Sequence, residues 1–201
     1  MELDNIYNWL EKLRVLYSNR RSEKMYISEL YKEMPKKFNS ELEEKIFKKL
    51  KELNIPFEVC DNDPADTMED CIEIDKVLGE DICKTVVVCN EKKTNYYLVE
   101  MPADKRFDTK AFRDALEISR VSFVRVDDLK EKLGVVPGSA SALCVVHDED
   151  CIINVVIDKE IADKEFFASN ASDSRRHVKI KTKDLEKFLK ETNHPARIVE
   201  L

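Results

Sequence analysis

The stretch "ICKTVVVCN", residues 82–90, carries a lysine third from its start, one threonine ahead of a run of three valines. β-Branched residues favour the pleated backbone, so the run predicts a strand over 84–89. Its partner follows at once. "NYYLVEM", residues 95–101, is a second apolar run, and only "EKKT" separates the two, a connection of hairpin length. At least part of the sheet is therefore antiparallel. The same assignment puts Lys84 at the mouth of its strand, where a lysine is ordinarily a solvated end residue. The rest of the chain has to say whether this one is an exception.

Outward from the hairpin, short apolar runs alternate with helical patterns. Strands are expected over 57–60, 122–126, 142–147, 152–157, 178–180 and 198–199, and helices over 68–78, 109–116, 127–133 and 182–191. Thr109, Asp127 and Thr182 stand where N-caps belong. A second hairpin is expected from 142–147 to 152–157 through "DEDC". Ahead of this region, Leu42, Ile46, Leu50 and Leu53 form a helical stripe that Ser40 can cap and Pro56 ends. Nearer the start, Ile6, Leu10, Leu13 and Tyr17 share a helical spacing, and "YISELYKEM" resumes it before Pro35. The expected architecture is α/β of the α+β-like kind: a mixed, largely antiparallel sheet flanked by helices, with an N-terminal helical extension over residues 1–39 and a second unit over 40–201.

The 201 residues are enough for one good core with an appendage. Charged residues make up 37% of the chain against an apolar 43%, which predicts a heavily solvated surface and not disorder. A net charge of -7 argues against a general nucleic-acid binder, DNA included, but leaves room for a local basic patch. The runs "NRRSEK" and "SRRHVKIKTK" read either as solvated faces or as such a patch, with Arg175 and Arg176 in the second. "MELDNIYNWLEKLRVLYSN" is interrupted by charge every few residues, unlike an export signal, and no run approaches a membrane span, so a cytoplasmic protein is expected. Cys60, Cys71, Cys83, Cys89, Cys144 and Cys151 contain no CxxC pair, and read as reduced, mostly buried small hydrophobes.

Only Gly79, Gly134 and Gly138 occur, which excludes glycine-rich dinucleotide and phosphate loops. "LGVVPGSASAL", residues 133–143, reads either as a tight Pro-Gly turn or as a nest of backbone donors for an anion. No GxSxG elbow surrounds its serines. His147, His177 and His194 lack the spacing of a HExxH zinc site, and His194 reads as a helix C-terminal residue.

Taken in order, "LNIPFEV", "TMEDC", "LGEDICKTVVVCN", "NYYLVEMPADKRFD", "ISRVSF", "LGVVPGSASAL" and "DLEKFLKETNHPARIVEL" resemble the YbaK/ProX family of aminoacyl-tRNA editing domains, and among them the free-standing prolyl-tRNA editing proteins. The resemblance covers about residues 40–201 and implies a hydrolase that removes a wrongly attached small amino acid from tRNA, Ala-tRNA(Pro) first, without metal or cofactor. Lys84 matches the family's strand lysine, and Gly138, Ser139 and Ser141 match its GxxPGS loop. Thr85 stands where relatives often carry asparagine. The family's His-Pro…Asn segment corresponds, without gaps, to Asn170-Ala171 and Ser174, unless a loop shift brings His177 in. His194-Pro195 matches an ordinary C-terminal segment instead.

By that resemblance Lys84 is the catalytic candidate, and Thr85, Gly138, Ser139, Ser141, Asn170 and Ser174 line the substrate site. Arg175 and Arg176 are the RNA-binding candidates, with the tRNA acceptor end as partner. The N-terminal helices could contact tRNA or dock a protein. The alternative is a degenerate member that binds an RNA end or a protein without turnover.

Overall fold

The structure is a computed structural model that describes residues 25–65 and 67–201; the expected helix through Ile6 and Tyr17 lies outside the described residues. In chain order the first elements are α1 (Glu41–Glu52), β1 (Glu58–Asp61), α2 (Met68–Leu78), β2 (Lys84–Asn90), β3 (Tyr96–Met101), α3 (Thr109–Leu116), β4 (Val121–Phe123) and α4 (Val126–Leu133). A 3-10 helix (Ala142–His147) follows, then β5 (Ile153–Asp158), α5 (Lys159–Ala162), β6 (Phe166–Asn170), β7 (Arg176–Lys181), α6 (Thr182–Glu191) and β8 (Arg197–Val199).

The β2–β3 hairpin forms as its sequence predicts, in register from Lys84 opposite Met101 to Cys89 opposite Tyr96. Asn90 closes it: its side-chain oxygen accepts from the N–H groups of Thr94 at 2.9 Å and Asn95 at 3.1 Å. Around this hairpin one sheet runs β4-β2-β3-β5-β8, antiparallel at β4 and parallel at β5 and β8. A second, antiparallel sheet runs β1-β7-β6. The two meet where Ile82 bridges Ala168 and the Cys83 N–H donates to the Ala168 carbonyl at 2.8 Å. The architecture is the expected mixed α/β one.

Period-two alternation decides what each face covers. Leu98, Val155 and Ile157 of the large sheet and Val59, Phe167 and Val178 of the small one share a core with α1 and α6. On the other face of the large sheet Val86, Val88, Val99 and Met101 meet Phe112 and Leu116 of α3. The far face of the small sheet gives Cys60 and Ala168 to Cys71, Ile74 and Leu78 of α2. All six cysteines are free thiols, with Cys151 alone exposed.

Three expectations are corrected. Residues 142–147 form a 3-10 helix and not a strand, so no hairpin joins them to β5, which pairs parallel to β3. A short apolar run cannot distinguish a buried strand from a buried helix, and here bonds such as Cys144 N–H to Ser141 O, at 2.9 Å, close the turns. The stretch beginning at Tyr26 is extended. Tyr31 exchanges backbone bonds with Val59 at 2.9 and 3.0 Å, and Ser28 N–H donates to Asp61 O at 2.8 Å, so the edge of β1 takes up donors that a helix would have used internally. Among the caps, Ser40 serves α1 as expected, but Asp108 caps α3 in place of Thr109, while α4 and α6 carry no side-chain cap bond. The strand β6 was not anticipated, since "FFASN" is too polar at its end to read as one.

Arg176, expected to face RNA, is buried at 7% exposure. Its guanidinium donates to Glu43 Oε2 at 2.9 Å, Asp61 Oδ1 at 2.6 Å and the Lys37 carbonyl at 3.0 Å. Tyr31 O–H donates to the other Asp61 oxygen at 3.2 Å, so one arginine ties the extended segment, α1 and β1 to β7. Removing it leaves the wholly buried Glu43 carboxyl without its counter-charge. Arg176→Ala is therefore expected to cost about 3–5 kcal/mol in urea unfolding; a loss below about 1 kcal/mol, the range of an exposed pair, would show that the guanidinium does not hold these elements together.

Candidate functional site

Lys84 opens β2 half-buried, and its Nζ donates to the main-chain carbonyl of Lys105. That carbonyl is itself fixed, because Lys105 Nζ pairs with Asp158 Oδ2 at 2.9 Å and Glu160 Oε1 at 2.5 Å. Burial lowers the Lys84 pKa from its ordinary value, an effect that Asp104 opposes. No carboxylate among the described residues pairs with it. The amine is thus partly desolvated and hydrogen-bonded only to a neutral dipole, with the Asp104 charge near but not paired to it.

At the same end of the sheets lies the Gly138 loop. Gly138 adopts φ +85°, the left-handed conformation that a Pro-Gly turn needs. Asn170, the last residue of β6, donates from Nδ2 to Gly138 O at 3.4 Å and Ala140 O at 3.3 Å, while its Oδ1 accepts from Ser172 N–H at 3.0 Å. The Ser139 N–H is engaged by Val136 O. Among the described residues the N–H groups of Gly138, Ala140 and Ser141 carry no hydrogen bond, so the loop forms the expected turn and leaves three backbone donors without a protein partner. Ser139 and Ser141 are buried; Ser141 Oγ lies 3.5 Å from Cys144 Sγ, whose thiol burial pushes up to about 11. A thiol held neutral in this way is no nucleophile.

The remaining candidates are placed elsewhere. The Ser174 carbonyl accepts from Asn62 Nδ2 at 2.8 Å and from Ala65 N–H at 3.1 Å, and Arg175 is paired with Asp173 at 2.7 Å. With Arg176 they belong to the β6–β7 turn and its structural network. His177 is 2% exposed beside Asn62 Oδ1 at 2.8 Å, and burial drives its pKa down to about 4. A neutral, enclosed imidazole cannot replace the family's histidine at the rim. His194 Nε2 lies 3.1 Å from the Asp148 carboxylate, which also accepts from Ile153 N–H, a structural role. Among the described residues no group of three or more His, Cys, Asp or Glu could hold a metal ion.

Sequence reasoning missed Glu100. Fully buried on β3, it lies opposite Thr85, whose Oγ1 is 3.0 Å from Glu100 Oε2; Glu100 Oε1 accepts the Ala142 N–H at 2.5 Å. Strand and loop are joined through this one side chain. The signal was a single acid at an inward position of an otherwise apolar strand. Burial pushes its pKa up to about 8. Because the folded-state value is raised above the unfolded one, folding is favoured by the protonated form. Stability therefore declines as pH rises from about 4.5 to 8 and is flat beyond. Glu100→Gln keeps both hydrogen bonds and removes the titration, so the variant should match wild type near pH 4 and exceed it by about 5 kcal/mol at pH 9. Parallel unfolding curves for the two proteins across that range would show instead that Glu100 is solvated.

A model of the family described as an aminoacyl-tRNA editing domain matches residues 62–188. The prolyl-tRNA editing protein ProX of Acetoanaerobium sticklandii is 29% identical over 156 residues, which cover 78% of this chain and 95% of that protein. Two crystal structures share the fold. One, of a hypothetical protein, superposes with a TM-score of 0.61 at 18% identity over 77% of this chain and 98% of its own. The other, of a candidate trans-editing enzyme for prolyl tRNA synthetase, gives 0.60 at 13% identity over 82% and 99%. Joined to the strand lysine and the clasped loop, a family match over more than half of its residues means that this chain belongs to the aminoacyl-tRNA editing domain family.

Proposed function

We propose that the protein is a trans-editing hydrolase that deacylates mischarged tRNA, Ala-tRNA(Pro) first, by taking the aminoacylated 3′ end at the rim between Lys84 and the Gly138 loop. The observation that carries this reading is the partly desolvated Lys84 amine, free of any carboxylate partner among the described residues. Likeness to a protein named for prolyl-tRNA editing supports the choice of tRNA.

The chemistry fits the groups present. An aminoacyl ester is already activated, so a site that orients a water against the carbonyl carbon, with the neighbouring ribose hydroxyl as a hydrogen-bond partner of that water, needs no strong nucleophile. Attack forms a tetrahedral oxyanion, which the N–H groups of Gly138, Ala140 and Ser141 are free to stabilise. Collapse breaks the bond to the ribose oxygen, which leaves with a proton as the terminal hydroxyl, and the amino acid departs as its carboxylate. Lys84 adds positive charge beside the phosphate or the ester. A small pocket that accepts alanine and excludes proline by volume supplies the discrimination.

A second reading, a binding module without turnover, draws on Asn170: an amide engaged by two loop carbonyls occupies the position aligned with the family's histidine. The test separates the two. Ala-tRNA(Pro) is expected to lose alanine faster with the protein than without it, and Lys84→Ala should reduce the gain by about 10²-fold. Equal rates with and without protein, alongside retained tRNA, would support the binding module and remove the hydrolase.

A further inference from the structure

With Arg176 buried and Arg175 paired, the surface that receives RNA has to be sought elsewhere on an acidic chain. Two adjoining clefts meet at the start of α3. One, of about 490 Å³, is lined by Arg106, Phe107, Asp108 and Thr109; the other, of about 280 Å³, by Thr109, Lys110, Arg113, Arg120 and Val121. Four cations face one carboxylate, and that carboxylate is engaged: Asp108 Oδ1 accepts the N–H groups of Lys110 at 2.7 Å and Ala111 at 3.0 Å as the α3 cap. Arg113 is paired with Asp114 at 2.9 Å, while Arg106, Lys110 and Arg120 are exposed and carry no ion pair among the described residues.

An aromatic platform stands beside the cations. Phe123 is 62% exposed, an unusual fate for phenylalanine, and its ring packs edge-on against Phe107 at 5.9 Å. Cations interleaved with an exposed ring suit a strand that offers phosphates and base faces in alternation. The first cleft is also one residue along the chain from the contact that Lys84 makes. Lys84 lies on the α3 side of the large sheet with Val86 and Val88, and the residue after Lys105, whose carbonyl it meets, is Arg106.

We infer that the Arg106–Lys110–Arg120 cleft with Phe123 carries the RNA strand whose 3′ end reaches Lys84, the cations on its phosphates and the ring under a base. The inference rests on the reading of this chain as an editing domain that takes RNA. A negative body around a positive cleft also fixes the approach: phosphate is repelled from most of the surface and admitted here.

Binding of an uncharged acceptor-stem hairpin with a single-stranded CCA end, followed by fluorescence anisotropy in increasing salt, tests it without requiring turnover. Lys110→Ala with Arg120→Ala should weaken binding at least tenfold at low salt and make the slope of log K against log salt shallower by about two. Phe123→Ala should weaken it by about tenfold with little change in slope. Lys183→Ala with Lys190→Ala, two exposed cations on α6, is the control and should leave binding unchanged. Circular dichroism of each variant verifies the fold. If the cleft variants bind the hairpin like wild type, or only the α6 control loses affinity, the inference is overturned even where Ala-tRNA(Pro) is deacylated. If deacylation is absent but the cleft variants lose hairpin binding as described, the inference stands and the hydrolase falls.

Discussion

The rim is organised by one buried carboxyl. The β2–β3 ladder fixes the hairpin, but backbone pairing alone does not place the loop that follows Gly138. Glu100 does so by facing Thr85 across the ladder and taking the Ala142 N–H, the first donor of the 3-10 helix. In its neutral form the carboxylic acid can donate to Thr85 and accept from Ala142, so both oxygens are satisfied without an enclosed charge. Ionised, the same group would be a desolvated anion with Cys83 and Cys144 nearby, two thiols that burial already holds neutral. The loop thereby inherits the rigidity of the sheet, as preorganised backbone donors require.

Asn170 completes the placement from the other side. A trans peptide points its N–H opposite its carbonyl. When Asn170 draws the Ala140 carbonyl toward β6, the Ser141 N–H is turned away from β6. An amide cannot take or give a proton as an imidazole can. In the proposed reaction the work therefore shifts from acid–base transfer to charge stabilisation by fixed dipoles and by Lys84. The nearby imidazole of His177, on β7, is a structural donor to Asn62, and burial holds its pKa down in spite of the Asp173 charge.

What could be read in the sequence was local. Valines flanking a four-residue connection dictate a hairpin wherever they stand, and Ser40 caps α1 because its hydroxyl meets the Glu43 N–H three residues on. What could not be read was settled at long range. Residues 142–147 have the composition of a strand, yet the capture of Ala142 by an acid 42 residues earlier starts a helix instead. The Tyr26 stretch has the spacing of a helix, yet β1 had an open edge. Arg176 sits in a basic run that reads as surface, and only the meeting of Glu43 and Asp61 takes it inside. Lys84 and Gly138 were singled out from the sequence, while Glu100, which positions the neighbour of one and the loop of the other, was silent.

The period of the strand carries the last step. Consecutive residues of β2 face opposite sides: Lys84, with Met101 across from it, belongs to the α3 side, and Thr85, with Glu100 across from it, to the side of the main core and the loop. In the proposed reaction, a substrate seated at the start of β2 would meet both. On one side stand an amine and the basic cleft, suited to phosphate; on the other stand the backbone donors of the loop, suited to a carbonyl becoming an oxyanion. An aminoacylated RNA end has these two chemistries in that order, phosphate chain first and ester last. The step between adjacent side chains, a few ångströms along the pleat, is the separation over which the ligand must change from one to the other.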